Sequence, residues 1–218
     1  MVQSKLLLNF PGVKHYFFDK NDVNKSLKVF NFDSFQTVDQ VHGNRVTTIN
    51  SLPFDSKGYD GMITKRKYLL AIRTADCLPI LFYDYKKNII GAIHAGWRGL
   101  SSGIINSLIR ILMTKGSQSK HIFGAIGPHI GRCCYDVPRE RIKMFGKTID
   151  SDKLVSENRR SSWFLDLGKI AQIQMQQMNI QKRQIDILPF CTSCNKNYYS
   201  YRRDGSSTGR MINVIGLN

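Results

Sequence analysis

Leu69-Leu70-Ala71-Ile72, Leu78-Pro79-Ile80-Leu81-Phe82-Tyr83 and Asn88-Ile89-Ile90-Gly91-Ala92-Ile93-His94 follow one another closely, and their reading decides the fold. Each is a short apolar run bounded by polar or turn residues, the pattern of a buried strand. Gly96-Trp97-Arg98-Gly99 then makes a turn, and Ser101 or Ser102 is placed to cap a helix running to about Lys115. Within it Ile104, Ile105, Leu108, Ile109 and Leu112 recur every three or four residues and give one apolar face. Gly116 is its stop.

Outward from this block, Ile122 to Ile126 reads as a strand closed by Gly127-Pro128. Pro138 opens a short helix through Phe145, and Asp166 caps another from Leu167 to about Met178, with Ile170, Ile173 and Met178 inward. Further strands are expected at Ile185–Leu188, Tyr198–Arg202 and Met211–Ile215. Strands interleaved with helices, some hairpin-like neighbours among them, predict an α+β (mixed α/β) domain. No repeat, low-complexity tract or Pro/Gly/Ser linker divides the chain, so residues 1–218 are read as one domain.

Composition narrows the function classes. The 218 residues are 42% hydrophobic and 22% charged, which excludes a disordered or collagen-like chain. No apolar run reaches the roughly 18 residues of a membrane span, and Leu6-Leu7-Leu8 is too short for a secretory signal. A cytoplasmic protein is expected. The net charge of +16 raises the prospect of an anionic partner. Its carriers are scattered, however: Lys65-Arg66-Lys67, Lys86-Lys87, Arg159-Arg160, Lys182-Arg183 and Arg202-Arg203 form no stripe. A solvated basic surface explains them as well as nucleic acid does, and neither nucleic acid nor membrane is expected as a partner.

Five cysteines, an odd number without a secretory signal, argue against a disulfide framework and for thiols, metal ligands or a nucleophile. His42, Cys77 and His94 each sit where an extended segment meets a turn, so they could converge at one sheet edge. Two imidazoles and a thiolate would leave a fourth position open, the pattern of a catalytic zinc site, and zinc brings the pKa of a bound water near 7. Their long separations carry no metal signature by themselves, and on spacing alone a buried cysteine and two hydrogen-bonded histidines are the commoner reading. Cys191-Thr192-Ser193-Cys194 is a lone C-x-x-C that Cys133-Cys134 could complete as a four-sulfur site, or the four could be partly buried loop thiols. Tyr198 to Gly205 mixes tyrosines with Arg202 and Arg203 but lacks the RNA-recognition pattern. No phosphate-binding G-x-x-x-x-G-K-[ST] or G-x-G-x-x-G is present.

Five segments in order carry a resemblance: Gln40-Val41-His42-Gly43, Thr74-Ala75-Asp76-Cys77, His94 to Gly99, Gly127-Pro128 through Cys133-Cys134-Tyr135-Asp136-Val137, and Tyr201-Arg202-Arg203-Asp204 through Thr208-Gly209-Arg210. From about Gln40 to Ile215 the chain resembles the YfiH-like or laccase-domain proteins, formerly called polyphenol oxidases and now regarded as purine nucleoside phosphorylases. The resemblance implies a layered α/β/β/α domain with mixed sheets between helices. It implies zinc on His42, Cys77 and His94, and phosphorolysis of adenosine, inosine or S-methyl-5′-thioadenosine with adenosine deamination beside it. One departure is the segment before the first histidine: residues 1–39 are short, and Phe17 to Phe35 lacks the family's Gly-rich pattern.

Phosphorolysis needs an anion pocket beneath the sugar and a proton for the leaving base. Arg98 with Arg202 or Arg203 is the candidate phosphate site, against the alternative that these arginines brace the fold through carboxylates such as Asp136. Asp76, beside Cys77, is the nearest acid for moving a proton, or else a structural group. The rival readings are a copper polyphenol oxidase, for which five histidines are few, a metal-free cysteine hydrolase with Cys77 as nucleophile and His94 as base, and a basic binding protein.

Overall fold

The computed structural model describes residues 1–22, 35–146, 149, 156–159 and 162–218. The expectation for Phe17 to Phe35 therefore falls largely outside the described residues. The centre is a six-stranded mixed sheet in the order β11-β7-β5-β6-β3-β2. Its strands are β2 (Val46–Thr48), β3 (Gly61–Thr64), β5 (Leu78–Asp84), β6 (Ile89–Ala95), β7 (Ile122–Ile126) and β11 (Ile185–Ile187). A second sheet of three strands, β1 (Val13–Phe17), β12 (Met211–Leu217) and β4 (Leu69–Thr74), is antiparallel throughout. A third, small sheet joins β8 (Asp136–Val137), β10 (Ser162–Leu165) and β9 (Ser156–Arg159).

Every residue of β5 and β6 is buried because both faces of the central sheet are covered. Successive side chains then go to different cores. Leu78, Ile80 and Phe82 face a helical layer holding Leu108, Ile109, Ile170 and Met175. Leu81 and Tyr83 face the second sheet, where Leu70, Ile72, Ile215 and Leu217 meet them. On the outer face of that sheet Phe18, Leu69, Ala71 and Val214 make a small third cluster. Helices, one mixed sheet and two antiparallel ones thus form one mixed α/β domain, the fold class expected.

Among the described residues there are five α-helices: α1 (Trp97–Ser101), α2 (Ile104–Thr114), α3 (Arg139–Lys143), α4 (Leu167–Gln177) and α5 (Tyr201–Asp204). In α2 the five expected apolar residues are all buried, and the helix packs on β6, β3 and β2 and against α4. Asp166 caps α4, its Oδ1 accepting the Lys169 N–H at 2.8 Å; Ile170 is fully buried, while Ile173 and Met178 are half-buried against the core. None of these helices is long and apolar enough to cross a membrane.

Three local expectations need correction. Residues 97–99 are not a turn but the start of α1, and Ser101 and Ser102 close it rather than cap α2. Both hydroxyls donate back to the Arg98 carbonyl, at 3.0 and 2.7 Å, the local competition that ends helices. The break is made by Gly103, at φ 85°, which stands at the N-terminus of α2. Tyr198–Arg202 is not a strand: Ser200 accepts the Arg203 N–H at 3.3 Å and starts α5, overriding the tyrosines' β preference. The helix after Pro138 stops at Lys143, before Phe145.

Candidate active site

Strand register brings the site together. In the β5–β6 hairpin Leu78 pairs with Ala95 and Pro79 with His94, so Cys77 meets Gly96 just past the last pair. In the neighbouring pair Gly61 stands opposite Ile93, and Asp60, one step before it, accepts the His94 backbone N–H at 2.7 Å. β2 runs parallel to β3, so the segment before it, with His42, arrives at the same edge. His42, Cys77 and His94 place their donor atoms within 4.8 Å of one another. The two imidazoles meet edge to face, with centroids 4.7 Å apart.

Two glycines allow this approach. A Cβ on Gly96 would lie 3.0 Å from Cys77 Sγ, and one on Gly99 2.9 Å from the Gly43 carbonyl oxygen, under α1. The backbone is also strained where the side chains are aimed: Gln40, His42 and Asp76 have φ of 64°, 65° and 83°. Gln40 is held by Arg73, its amide donating to the Arg73 carbonyl at 2.6 Å and accepting the Arg73 N–H at 2.8 Å. Asp76 is held through both oxygens: Oδ1 accepts the Thr192 hydroxyl and Oδ2 the Arg202 backbone N–H, each at 2.6 Å.

Asp60, fully buried, organises the trio and was not singled out in the sequence. Its Oδ1 accepts His94 Nδ1 at 2.9 Å and the His42 N–H at 2.8 Å; its Oδ2 accepts the Gly43 N–H at 2.7 Å. Burial alone would raise its carboxyl pKa, but these donors, His94 first, hold it below the usual range. With Nδ1 committed, Nε2 is the nitrogen His94 has left, the arrangement in which a carboxylate fixes the tautomer of a ligating histidine. Burial would lower His94, yet Asp60 and then Cys77 bring it up to about 9. Burial would raise the Cys77 thiol, yet hydrogen bonds from His42 and His94, with their charge, bring it down to about 6. A thiolate beside imidazole is a soft, ready cation ligand and also a competent nucleophile.

The trio opens into a cleft of about 810 Å³. Trp97, Tyr135 and Tyr201 line it, with five arginines: Arg73, Arg98, Arg141, Arg202 and Arg210. Arg98 and Arg141 each lie over the Trp97 ring, 4.6 and 4.4 Å from its centroid. Among the described residues neither Arg73 nor Arg98 pairs with a carboxylate. Arg202 does pair: its guanidinium donates to Asp136 and to the Cys134 carbonyl. Arg203 is not in the cleft lining; its guanidinium donates to the carbonyls of Thr192, Ser193 and Tyr198 and to Asp204. A second depression, about 440 Å³ among Lys65, Lys87 and Lys115, lies at the far end of the same strands and holds no such donors.

Residues 20–218 match the family described as multi-copper polyphenol oxidoreductase laccase. The chain belongs to this family. It is 35% identical over 202 residues to a purine nucleoside phosphorylase of Clostridium acetobutylicum, covering 89% of this chain and 82% of that one. Over 204 residues it is 31% identical to the purine nucleoside phosphorylase YlmD of Bacillus subtilis, covering 87% and 73%. Among solved structures this laccase-domain protein is similar to YlmD of Geobacillus stearothermophilus, with a TM-score of 0.88 at 26% identity over 96% and 93% of the two chains. It is likewise similar to the hypothetical protein YfiH of Bacillus licheniformis, with a TM-score of 0.84 at 30% identity over 91% and 80%.

Proposed function

We propose that this laccase-domain protein is a zinc-dependent purine nucleoside phosphorylase acting on adenosine, inosine or S-methyl-5′-thioadenosine, with adenosine deamination as a second activity. The observation that carries the reading is the His42–Cys77–His94 trio at one end of an arginine-lined cleft. Relatives bearing the phosphorylase name support the substrate class.

The donor set fits zinc. Two imidazoles and an easily ionised thiol suit this borderline ion, three protein ligands leave a position for substrate, and Asp60 orients His94 for it. When bound, zinc supplies Lewis acidity. Imidazole and thiolate also take copper, but laccase chemistry needs many histidines, and the other three are engaged elsewhere. His15 accepts the Ser4 N–H, His129 Nδ1 meets the Gly127 carbonyl oxygen, and His121 packs edge-on to Tyr85.

In phosphorolysis an oxygen of hydrogen phosphate bonds to C1′ of the sugar as the C1′–N9 bond breaks. The electron pair leaves on the purine, and the proton of hydrogen phosphate ends there. Arg98, without a carboxylate of its own, binds the phosphate, joined by Arg202, which lines the same cleft. Arg202 also braces Asp136, so both arginine roles weighed from the sequence meet in one residue. Asp76, with both oxygens occupied, positions the turn that carries Cys77.

The test is incubation of protein of known metal content with adenosine, with and without phosphate. Adenine and ribose 1-phosphate formed only with phosphate, and inosine with or without it, are expected, both lost on chelation and restored by zinc. Phenol-dependent oxygen uptake without purine release would overturn the reading in favour of the oxidase. The closeness of Cys77 Sγ to the His94 imidazole favours a second reading, the metal-free cysteine hydrolase. Turnover that survives chelation and is abolished by alkylating Cys77 would establish that one instead.

A further inference from the structure

The other four cysteines form a group of their own. Cys133 and Cys134 follow β7, Cys191 and Cys194 follow β11, and the two strands are parallel neighbours. The four sulfurs lie within 4.8 Å of one another. Cys194 Sγ stands 3.4 Å from Cys133 Sγ and 3.2 Å from Cys134 Sγ, too far for an S–S bond. Four sulfurs at zinc's usual 2.3 Å in a tetrahedron stand about 3.8 Å apart, within the spread found here. An iron–sulfur cluster, being larger than one ion, would need them farther apart.

Adjacent cysteines can share one ion only in a tight turn, and the chain makes one. The Cys134 N–H returns to the Gly131 carbonyl at 3.0 Å, and a Cβ on Gly131 would lie 3.2 Å from both Cys133 Sγ and Cys191 Cβ. Opposite it, Cys191 to Cys194 form a second turn, closed by the Asn195 N–H on the Cys191 carbonyl at 3.0 Å. The Gly131 backbone N–H donates to Cys191 Sγ at 3.2 Å. Such a donor stabilises a sulfur that carries negative charge. Arg202 and Arg203, each also paired with a carboxylate, donate to the carbonyls of Cys134, Thr192 and Ser193 and so tie both turns to α5.

We propose that Cys133, Cys134, Cys191 and Cys194 bind one zinc ion as a closed tetrathiolate, a structural site separate from the trio in the cleft. Its role is to staple two loops. One continues into Tyr135 of the cleft wall; the other presents Thr192, whose hydroxyl holds Asp76 beside Cys77. Formation makes four Zn–S bonds and releases the thiol protons to solvent.

The experiment needs no assay of turnover, so its outcome is independent of the nucleoside reading. Full-length His42→Ala/His94→Ala protein, purified without reductant, is analysed for zinc; about one ion per chain is expected, and none would overturn the proposal. Should that variant not fold, the wild-type protein serves. Iodoacetamide followed by peptide mapping should leave these four cysteines unmodified until a strong chelator is added, and label all four afterwards. Cobalt exchanged into the wild type should show intense sulfur-to-cobalt charge-transfer absorption, of which Cys191→Ser/Cys194→Ser keeps only the weaker part due to the single thiolate of Cys77. Immediate labelling of all four without chelator, or a mass lower by two or four hydrogens from disulfides, would refute the site.

Discussion

Asp60→Asn is the most discriminating change available in the cleft. The carboxylate is fully buried and accepts three donors, from His94 Nδ1, His42 N and Gly43 N, at 2.7–2.9 Å. An amide of the same shape has one accepting oxygen. If it faces His94 and His42, its NH2 meets the Gly43 N–H, donor against donor; if it flips, His94 loses the partner that fixes its tautomer. A buried polar group left unpaired costs about 1–3 kcal/mol. At about 2–4 °C per kcal/mol for a chain of this size, melting falls by about 2–12 °C. Losing the carboxylate behind a ligating histidine weakens metal binding by about 10–100-fold. The assay is zinc competition against a chromophoric chelator, carried out in a Cys191→Ser/Cys194→Ser background so that the cleft site is the one titrated, with thermal unfolding alongside. Affinity within about twofold of wild type, in a variant whose melting point has dropped, would refute the orienting role of Asp60 and leave only a packing one.

The remaining expectations concern other parts of the chain. Arg98→Ala should raise the phosphate KM about tenfold or more, as loss of a charged hydrogen bond does, with little change in melting because the side chain is exposed; an unchanged phosphate dependence removes Arg98 from the anion site. Gly99→Ala puts a methyl 2.9 Å from the Gly43 carbonyl and must displace the His42 loop. Stability should fall by about 1–3 kcal/mol and zinc affinity with it, and unaltered metal binding would contradict the close-approach account. His15 is buried, its Nε2 accepting the Ser4 N–H at 2.9 Å, and burial holds its pKa down to about 4 against an ordinary 6.5. The unfolded chain therefore takes up this proton between those values while the folded chain does not. Stability present in full above about pH 6.5 is lost as pH falls, by about 2 kcal/mol at pH 5. Urea unfolding at pH 7 and 5 should show the loss, and His15→Gln, which keeps an acceptor but does not titrate, should flatten it; an equal slope in that variant would discount His15.

Much of the architecture can be read from apolar runs, because β5 and β6 are buried on both faces and α2 shows five inward residues at helical spacing. What escaped was set by side chains acting on local backbone. Ser101, Ser102 and Ser200 carry similar hydroxyls, yet the first two end a helix and the third begins one. Short strands such as Val46–Thr48 and Asp136–Val137 hold too few residues for periodicity to register. Within the site, His42, Cys77 and His94 were legible as types of ligand at strand ends, while their meeting depends on a register that spacing does not encode. Asp60 escaped because its three donors come from three positions, two of them backbone. Its one outward sign is an acid placed immediately before an apolar strand. Arg202 and Arg203 look alike in sequence, but their place on α5 puts one on the cleft and the other on loop carbonyls.

The hairpin that sets Cys77 against Gly96 is closed far from the cleft, at Tyr85 to Asn88, where Asp84 Oδ1 accepts the N–H groups of Lys86 and Lys87 at 2.9 and 3.0 Å. That remote loop acts as the gauge for the whole assembly. Lengthen it by one residue, let β6 slide to absorb the insertion, and the imidazole of His94 swaps sides of the sheet and leaves Asp60. The spacing of the donors is thus measured out from the opposite rim of the molecule.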